Sequence, residues 1–278
     1  MKKPGLIEPD IAEILSIGQD TSDIKTFRIR YTDKEKQEKF FFMPGKFLMV
    51  SVFGFGEMPI SLSSSPLQTN ELELTIRDVG NISHAIHQLK KGDKIGLRGP
   101  FGKGFPVPRF RKKNIVFISG GCGLAPLRPL VKAVVGKREE FNNLTLFYGC
   151  KNPEQILFKQ DIEEWEKTEN FKVLLTVDDC VPSWKGHCGV VTNLFDKTPL
   201  NPKNTVACLV GPPVMIHFAI KELKKHGFKD EQIWASLERL MHCGMGKCAH
   251  CNIAGKYACI DGPVFNGKEL AKMPLEEK

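Results

Sequence analysis

The spacing of apolar residues changes period partway along the chain. Between Ile11 and Gly99, short runs of β type are separated by turn residues: Ile24–Tyr31, Phe40–Met43, Phe47–Phe53, Glu71–Arg77 and Lys94–Leu97. Glu71-Leu72-Glu73-Leu74-Thr75-Ile76 alternates cleanly, as a strand with one buried face should. Pro44-Gly45, Gly54-Phe55-Gly56, Ser63-Ser64-Ser65-Pro66 and Gly92-Asp93 mark the gaps, and His84–Leu89 is the one helix expected here. Many short strands at this spacing predict a small antiparallel barrel.

Past the breaker-rich Arg98-Gly99-Pro100-Phe101-Gly102-Lys103-Gly104, strand and helix patterns take turns. Asn114–Ser119, Leu144–Tyr148, Phe171–Val177 and Val206–Val210 read as strands; Pro126–Val135, Glu154–Lys167 and Val214–Lys225 read as helices. That order predicts a doubly wound parallel sheet of α/β class. From about Leu237 the chain is rich in Cys and Gly and too short for a core of its own. The expected division is a barrel over 1–108, a nucleotide-binding α/β domain over 109–233 and a cysteine-bearing segment over 234–278.

Composition narrows the class. The 278 residues, 41% hydrophobic and 26% charged, have an ordinary globular balance and enough length for two domains. The charge excess, 40 Lys+Arg against 32 Asp+Glu, is +8 and scattered, with few aromatics interleaved. It reads as a solvated surface, so no nucleic-acid partner is expected. No stretch approaches the ~20 apolar residues that cross a bilayer, and Met1-Lys2-Lys3-Pro4-Gly5 lacks the apolar run of a secretory signal. A cytoplasmic location without membrane insertion is expected, with the nine cysteines free of disulfides and any cluster among them given to metal or redox chemistry.

Such a cluster exists. Cys243, Cys248, Cys251 and Cys259 lie within 17 residues in the order C-x4-C-x2-C-x7-C. Gly244 and Gly246 let the loop turn tightly and aim N–H groups at sulfur. The first three cysteines have the spacing of plant-type [2Fe–2S] sites, in which a fourth follows downstream. A structural zinc site is the competitor; it usually brings two C-x2-C-like pairs across a longer spacer. His242 and His250 read as residues that shape the loop.

Ser119-Gly120-Gly121-Cys122-Gly123-Leu124-Ala125-Pro126 follows an apolar strand and opens a helix. Such a unit offers free N–H groups and the positive end of a helix dipole to a pyrophosphate. Pro126 stands where G-x-G-x-x-G would carry its third glycine, and no acidic ribose clamp follows the next strand. A second loop, Gly211-Pro212-Pro213, follows Val206–Val210, and both loops would face one cleft at the carboxyl ends of parallel strands. NAD(P)H gives up two electrons together as hydride, whereas an iron–sulfur cluster takes one. A protein that holds both needs a converter, and a flavin is the usual one.

Residues in the barrel half carry a family likeness. Pro59-Ile60-Ser61-Leu62 resembles the flavin-binding R-P-x-S motif of the ferredoxin–NADP reductase superfamily. Ile76-Arg77-Asp78-Val79-Gly80 with Asn81-Ile82-Ser83 resembles its segment over the FAD pyrophosphate, and Gly99-Pro100-Phe101-Gly102 and the glycine loop match it too. The run from Ser236-Leu237-Glu238-Arg239 through Cys243 to Asp261-Gly262-Pro263-Val264-Phe265 resembles the flavin subunits of cytoplasmic hydrogenases and of anaerobic sulfite reductase. The electron-transfer subunit of dihydroorotate dehydrogenase is a more distant likeness.

The resemblance implies an FAD-binding barrel, an NAD(P)H-binding α/β domain and a [2Fe–2S] segment that passes electrons to a partner redox subunit. Pro59, Ile60 and Ser61 would line the flavin, with Ser61 at N5 as the catalytic residue. Arg77, Val79, Gly80 and Ser83 would hold the FAD phosphates. Gly120, Gly121, Gly123, Ala125, Pro126 and Gly211, Pro212 and Pro213 would hold the nicotinamide nucleotide, and the four cysteines the cluster. Met58 stands in place of the family's arginine, which shifts phosphate binding toward Arg77. Val210 replaces the cysteine of C-G-P, with Cys208 two residues early. Asp178-Asp179 would repel a 2′-phosphate while Lys151 would attract it, a balance that favours NADH.

Overall fold

The computed structural model describes residues 7–68, 70–198 and 200–274. The first half is a six-stranded antiparallel sheet built from β1 (Asp10–Gln19), β2 (Ile24–Tyr31), β3 (Phe47–Val52), β4 (Gly56–Ser61), β5 (Leu72–Arg77) and β6 (Lys94–Phe101), in the order β4-β3-β6-β1-β2-β5. A bridge between Leu62 and Leu74, and a bond from the Ser63 amide to the Glu73 carbonyl (2.9 Å), tie the two edge strands and close the sheet into a barrel. In β2 the inward residues Ile24, Phe27, Ile29 and Tyr31 are buried while Arg28 and Arg30 are exposed. One face therefore makes the core and the other meets water. Two short helices, α1 (Lys34–Lys39) and α2 (Asn81–His87), bridge barrel strands.

The second half alternates as predicted: β7 (Asn114–Gly120), α3 (Leu124–Val135), β8 (Leu144–Cys150), α4 (Lys159–Glu166), β9 (Phe171–Val177), β10 (His187–Cys188), β11 (Thr205–Val210), α5 (Pro213–Lys225) and β12 (Ile233–Ser236). All six residues of β11 are buried, because helices cover both faces of a parallel sheet. After the cysteine segment, which holds only the two-residue strands β13 (Asn252–Ile253) and β14 (Lys256–Tyr257), β15 (Val264–Asn266) returns antiparallel to β12 and leads into α6 (Gly267–Leu270). The sheet order is β10-β9-β8-β7-β11-β12-β15.

The cysteine segment has no separate core. Leu237, Met241, Cys251, Ile253, Ala258 and Cys259 pack in one cluster with Phe47 and Met49 of the barrel and Ala207 and Leu209 of the parallel sheet. At roughly 25 cal/mol per Å² of apolar area, this shared burial holds the segment in place without regular structure of its own.

Several expectations fail, each for a physical reason. Phe40–Met43 is no strand: Phe40 and Phe42 are buried and Phe41 is exposed, but the segment has no ladder partner. An apolar run reports burial and not strand pairing, and here a connection without a strand partner packs Phe40 and Phe42 into the barrel core. Conversely β4 carries Pro59 and little alternation, which an edge strand tolerates because it pairs on one side only. The helix expected over His84–Leu89 begins at Asn81, and the one expected over Glu154–Lys167 is a 3-10 turn, Pro153–Gln155, followed by α4. Cys180 and Cys188 form a disulfide, against the expectation of nine reduced cysteines. The parallel pairing of Cys188 with Val177 folds the loop back on β9 and brings the two Cα atoms within 5.9 Å.

Candidate functional site

The glycine loop and the second loop meet at the carboxyl ends of β7 and β11. A Cβ on Gly123 would lie 2.4 Å from the Val210 carbonyl oxygen, and one on Gly211 would lie 2.6 Å from Met215 Cε. Only glycine lets the two backbones approach this closely, and the amide-rich lip so formed is a fitting seat for a nucleotide pyrophosphate. Behind it Tyr148, fully buried, donates its hydroxyl to the Gly121 carbonyl (3.1 Å) and accepts from the Leu157 amide. Ala125 is buried in the first turn of α3, and Pro126 and Pro212 flank the lip.

Three distant segments converge beside this lip. The Cys122 thiol is pushed up to about 11, first by burial and then by the Glu238 carboxylate, with Arg77 opposing. The glycine loop, the end of β5 and the segment after β12 thus feel one another's charge. Glu238 lines a small recess with Gly211, Pro213 and Ile216; its side chain is exposed to solvent, yet the protein crowded around it takes water from the carboxyl and raises it above the usual range. Arg77 is half exposed and donates from Nε to Asp23 (2.7 Å). Burial opposes ionisation of Asp23, but the bonds from Arg77 and Thr21 outweigh it and hold the carboxyl low.

On the barrel side, Pro59, Ile60 and Ser61 are half-buried on β4, facing Met49, Leu48 and Phe47 of β3. The next segment holds Ser64, whose buried hydroxyl has no partner among the described residues, as does that of Ser119 at the end of β7. Unmet buried hydroxyls at these two places suit a polar ligand between the barrel and the parallel sheet. Ser83 is different. Its hydroxyl accepts from the Val79 (2.9 Å) and Gly80 (2.8 Å) amides and donates to the Gly80 carbonyl, so its own chemistry is spent on shaping the turn that exposes Val79 and Gly80. Cys208 is fully buried and its thiol is pushed far up by burial, so it presents no sulfur to the cleft.

The four sequence-predicted cysteines form two pairs. The Cys251 thiol donates to the Cys259 sulfur at 3.3 Å, and Cys248 is hydrogen-bonded to Cys243. Among the described residues no three metal-ligating side chains already converge on one point. Backbone amides face the sulfurs: Gly246 donates to Cys259 (3.1 Å), and Met245 and Lys247 donate to Cys243 (3.4 and 3.3 Å). Gly246 has φ +74, and a Cβ there would strike Ile260. Four thiols, two of them with amides aimed at the sulfur, fit the chemistry of an iron–sulfur donor set. The loop rests on the barrel: a Cβ on Gly244 would meet Met49 and Phe101, and Arg98 of β6 donates to the Cys243 carbonyl (3.2 Å). Glu238 lies in the run that carries the family likeness and Arg98 opens the breaker-rich linker, but only the fold reveals what each side chain meets.

Comparison with known proteins agrees with this layout. Residues 12–105 match the oxidoreductase FAD-binding domain, 117–221 the oxidoreductase NAD-binding domain, and 238–271 the iron-sulfur cluster binding domain of dihydroorotate dehydrogenase B. The chain is 39% identical to the sulfhydrogenase 2 subunit gamma of Pyrococcus furiosus over 91% of this chain and 93% of that one. It is 32% identical to that organism's probable dihydroorotate dehydrogenase B electron transfer subunit, over 89% and 86%. A solved NADH-dependent reduced ferredoxin–NADP oxidoreductase structure superposes with a TM-score of 0.75 and 25% identity, covering all of this chain and 96% of the other. The cytochrome b5 reductase domain of Ulva prolifera nitrate reductase shares the fold, with a TM-score of 0.68. The chain is therefore an NAD(P)H-dependent flavin oxidoreductase of the ferredoxin–NADP reductase superfamily, and belongs to the family of electron-transfer subunits that includes the sulfhydrogenase gamma subunits.

Proposed function

We propose that this chain works in the cytoplasm as the electron-transfer subunit of a hetero-oligomeric complex of hydrogenase or sulfite-reductase type. It links NADH to a partner redox subunit through FAD and a [2Fe–2S] cluster. The observation that carries the reading is the seating of the cysteine loop directly on barrel strands β3 and β6, which puts an iron–sulfur donor set against the flavin-binding domain. The pairing of the four thiols favours two irons, each taking two thiolates, over one zinc ion that draws all four to a point. The functional units are 1–108, 109–233 and 234–278.

The residues divide the work. The lip of Gly120, Gly121, Gly123 and Gly211 receives the pyrophosphate of the nicotinamide nucleotide, with Ala125, Pro126, Pro212 and Pro213 fixing its edges. Asp178 and Asp179 lie exposed at the end of β9, where their amides bond the Cys150 and Lys151 carbonyls, and their carboxylates disfavour a 2′-phosphate. Pro59, Ile60 and Ser61 line the flavin, with Ser61 beside N5. Arg77, Val79 and Gly80 face its phosphates, and Ser83 acts through the turn it holds. Glu238, with its raised carboxyl, keeps a proton in the cleft above the pH at which an ordinary glutamate loses it. A bound flavin supplies the exchange between paired and single electrons.

Purified protein should carry one flavin and iron–sulfur absorbance, and should reduce a one-electron dye with NADH in preference to NADPH. Colourless protein with stoichiometric zinc would refute the reading. A second reading, the partner of a dihydroorotate dehydrogenase, draws on the matched 238–271 segment. Identification of the chains that co-purify with the native protein separates the two.

A further inference from the structure

Arg98 is the one described residue of the barrel whose side chain donates to the backbone of a cluster cysteine. It stands on β6 opposite Met49 and is 7% exposed. Its Nε and Nη2 meet both oxygens of Glu57 at 2.8 and 2.5 Å, a two-pronged pairing that fixes the guanidinium plane. Nη2 also donates to the Cys243 carbonyl at 3.2 Å, across 145 residues of sequence. Glu57, on β4, is held in turn by the Ser51 hydroxyl (3.0 Å), and the guanidinium lies over the Phe101 ring (5.6 Å). Glu57, Arg98, His242, Cys243 and Lys247 are among the residues that line a cleft of about 590 Å³ between the β3–β4 hairpin and the cysteine loop.

A buried cation fixed this rigidly needs a reason beyond stability, since a surface-like salt bridge would hold a hairpin as well. We propose that Arg98 is a positioning residue of the electron outlet: with Glu57 as its anchor, it holds the Cys243 end of the loop on the barrel and sets the reduction potential of the group bound there. The proposal rests on the iron–sulfur reading of the cysteine segment. Uptake of one electron adds one negative charge at that group and neither makes nor breaks a bond. A fixed positive charge nearby stabilises the reduced form, and a fixed negative charge opposes it. Arg98 is the member of the ion pair that touches Cys243, so its charge dominates, and Glu57 weakens the effect.

The test is the cluster midpoint potential, read by electron paramagnetic resonance during redox titration of holoprotein. Arg98→Gln leaves the Glu57 carboxylate uncompensated, and the midpoint should fall. At fixed potential the reduced-to-oxidised ratio should drop about tenfold, which is ~59 mV for a one-electron couple. Glu57→Gln keeps a hydrogen-bonding partner for Arg98 but removes the opposing charge, and the midpoint should rise. The double variant should return toward wild type. Breaking a merely structural ion pair would move both single variants the same way or not at all, and either outcome overturns the proposal. Should Arg98→Gln fail to fold, the sign of the Glu57→Gln shift still decides: a rise supports the role, and a fall or no change removes it. Iron counted in wild-type protein keeps the two levels apart. Absent iron defeats the iron–sulfur reading itself, whereas iron with midpoints that move together defeats only the role of Arg98.

Discussion

The barrel meets its two neighbours through one buried arginine each, and the two junctions are built differently. On the nucleotide side, Arg128 of α3 reaches into the barrel. Its guanidinium pairs with Glu73 of β5 and Asp161 of α4, donates to the Ser63 carbonyl (2.8 Å) and lies over the Phe158 ring (4.3 Å). On the cysteine side the direction reverses: Arg98 belongs to the barrel and reaches out to a carbonyl of the loop. The first junction locks three elements through paired carboxylates. The second holds a segment with only two-residue strands through that guanidinium, the contacts of Lys103 with Gly262, Pro263 and Asp261, and a shared apolar core. The difference follows the chemistry. Hydride transfer needs donor and acceptor held to a fraction of an ångström, and a 1 Å error can cost about 10²-fold. An iron–sulfur group is tuned instead by the charges and hydrogen bonds around its sulfurs, which a loop can supply.

Removing a cysteine should separate the two halves most sharply. Cys251→Ser is expected to abolish iron binding and one-electron dye reduction, while NADH still bleaches the flavin; loss of both activities together would mean that the halves are not separable. Arg128→Met strikes the other junction. It takes the guanidinium from the partly buried Glu73 and leaves Asp161 with Lys132 alone (3.0 Å), at a cost of about 1.5–3 kcal/mol in urea unfolding; a change below 1 kcal/mol would show that the interlock is ornamental. Gly123→Ala pushes the two nucleotide loops apart, and NADH affinity should weaken about tenfold, or ~1.4 kcal/mol, with flavin content unchanged. The smallest effect expected is in pH dependence. Because loss of water raises the Glu238 carboxyl above 4.5, the folded protein binds more protons than the unfolded chain in that window. Stability should therefore fall as pH climbs from 4.5 through the raised value, and Glu238→Gln should flatten that part of the curve.

The two halves also differ in how far their sequence exposes them. The parallel sheet announces itself because β7, β8, β9 and β11 are predominantly apolar runs followed by turn residues, and their strands emerge within a residue or two of the expected limits. The barrel is harder to read. Pro59 disguises β4, while Phe40–Met43 is an unbroken apolar run that does not join the sheet, since apolar character records burial and not pairing. The cysteine spacing is local and therefore visible. The long-range features are not: Glu238 beside Cys122, Arg98 against Cys243 and Arg128 against Glu73 each join residues tens of positions apart or more, and no spacing rule links them. Ser83 shows the converse, a motif residue whose hydroxyl turns out to serve the backbone around it.

Electrons that arrive as a pair on NADH should leave singly through Cys243, Cys248, Cys251 and Cys259. Anaerobic addition of NADH to holoprotein, followed by low-temperature electron paramagnetic resonance and a metal count on the same sample, addresses this directly. About two irons per chain and a paramagnetic iron–sulfur signal that appears on reduction and is missing in Cys251→Ser are predicted. A sample that holds flavin, accepts hydride from NADH and yet shows no paramagnetic iron under NADH or dithionite would contradict the account.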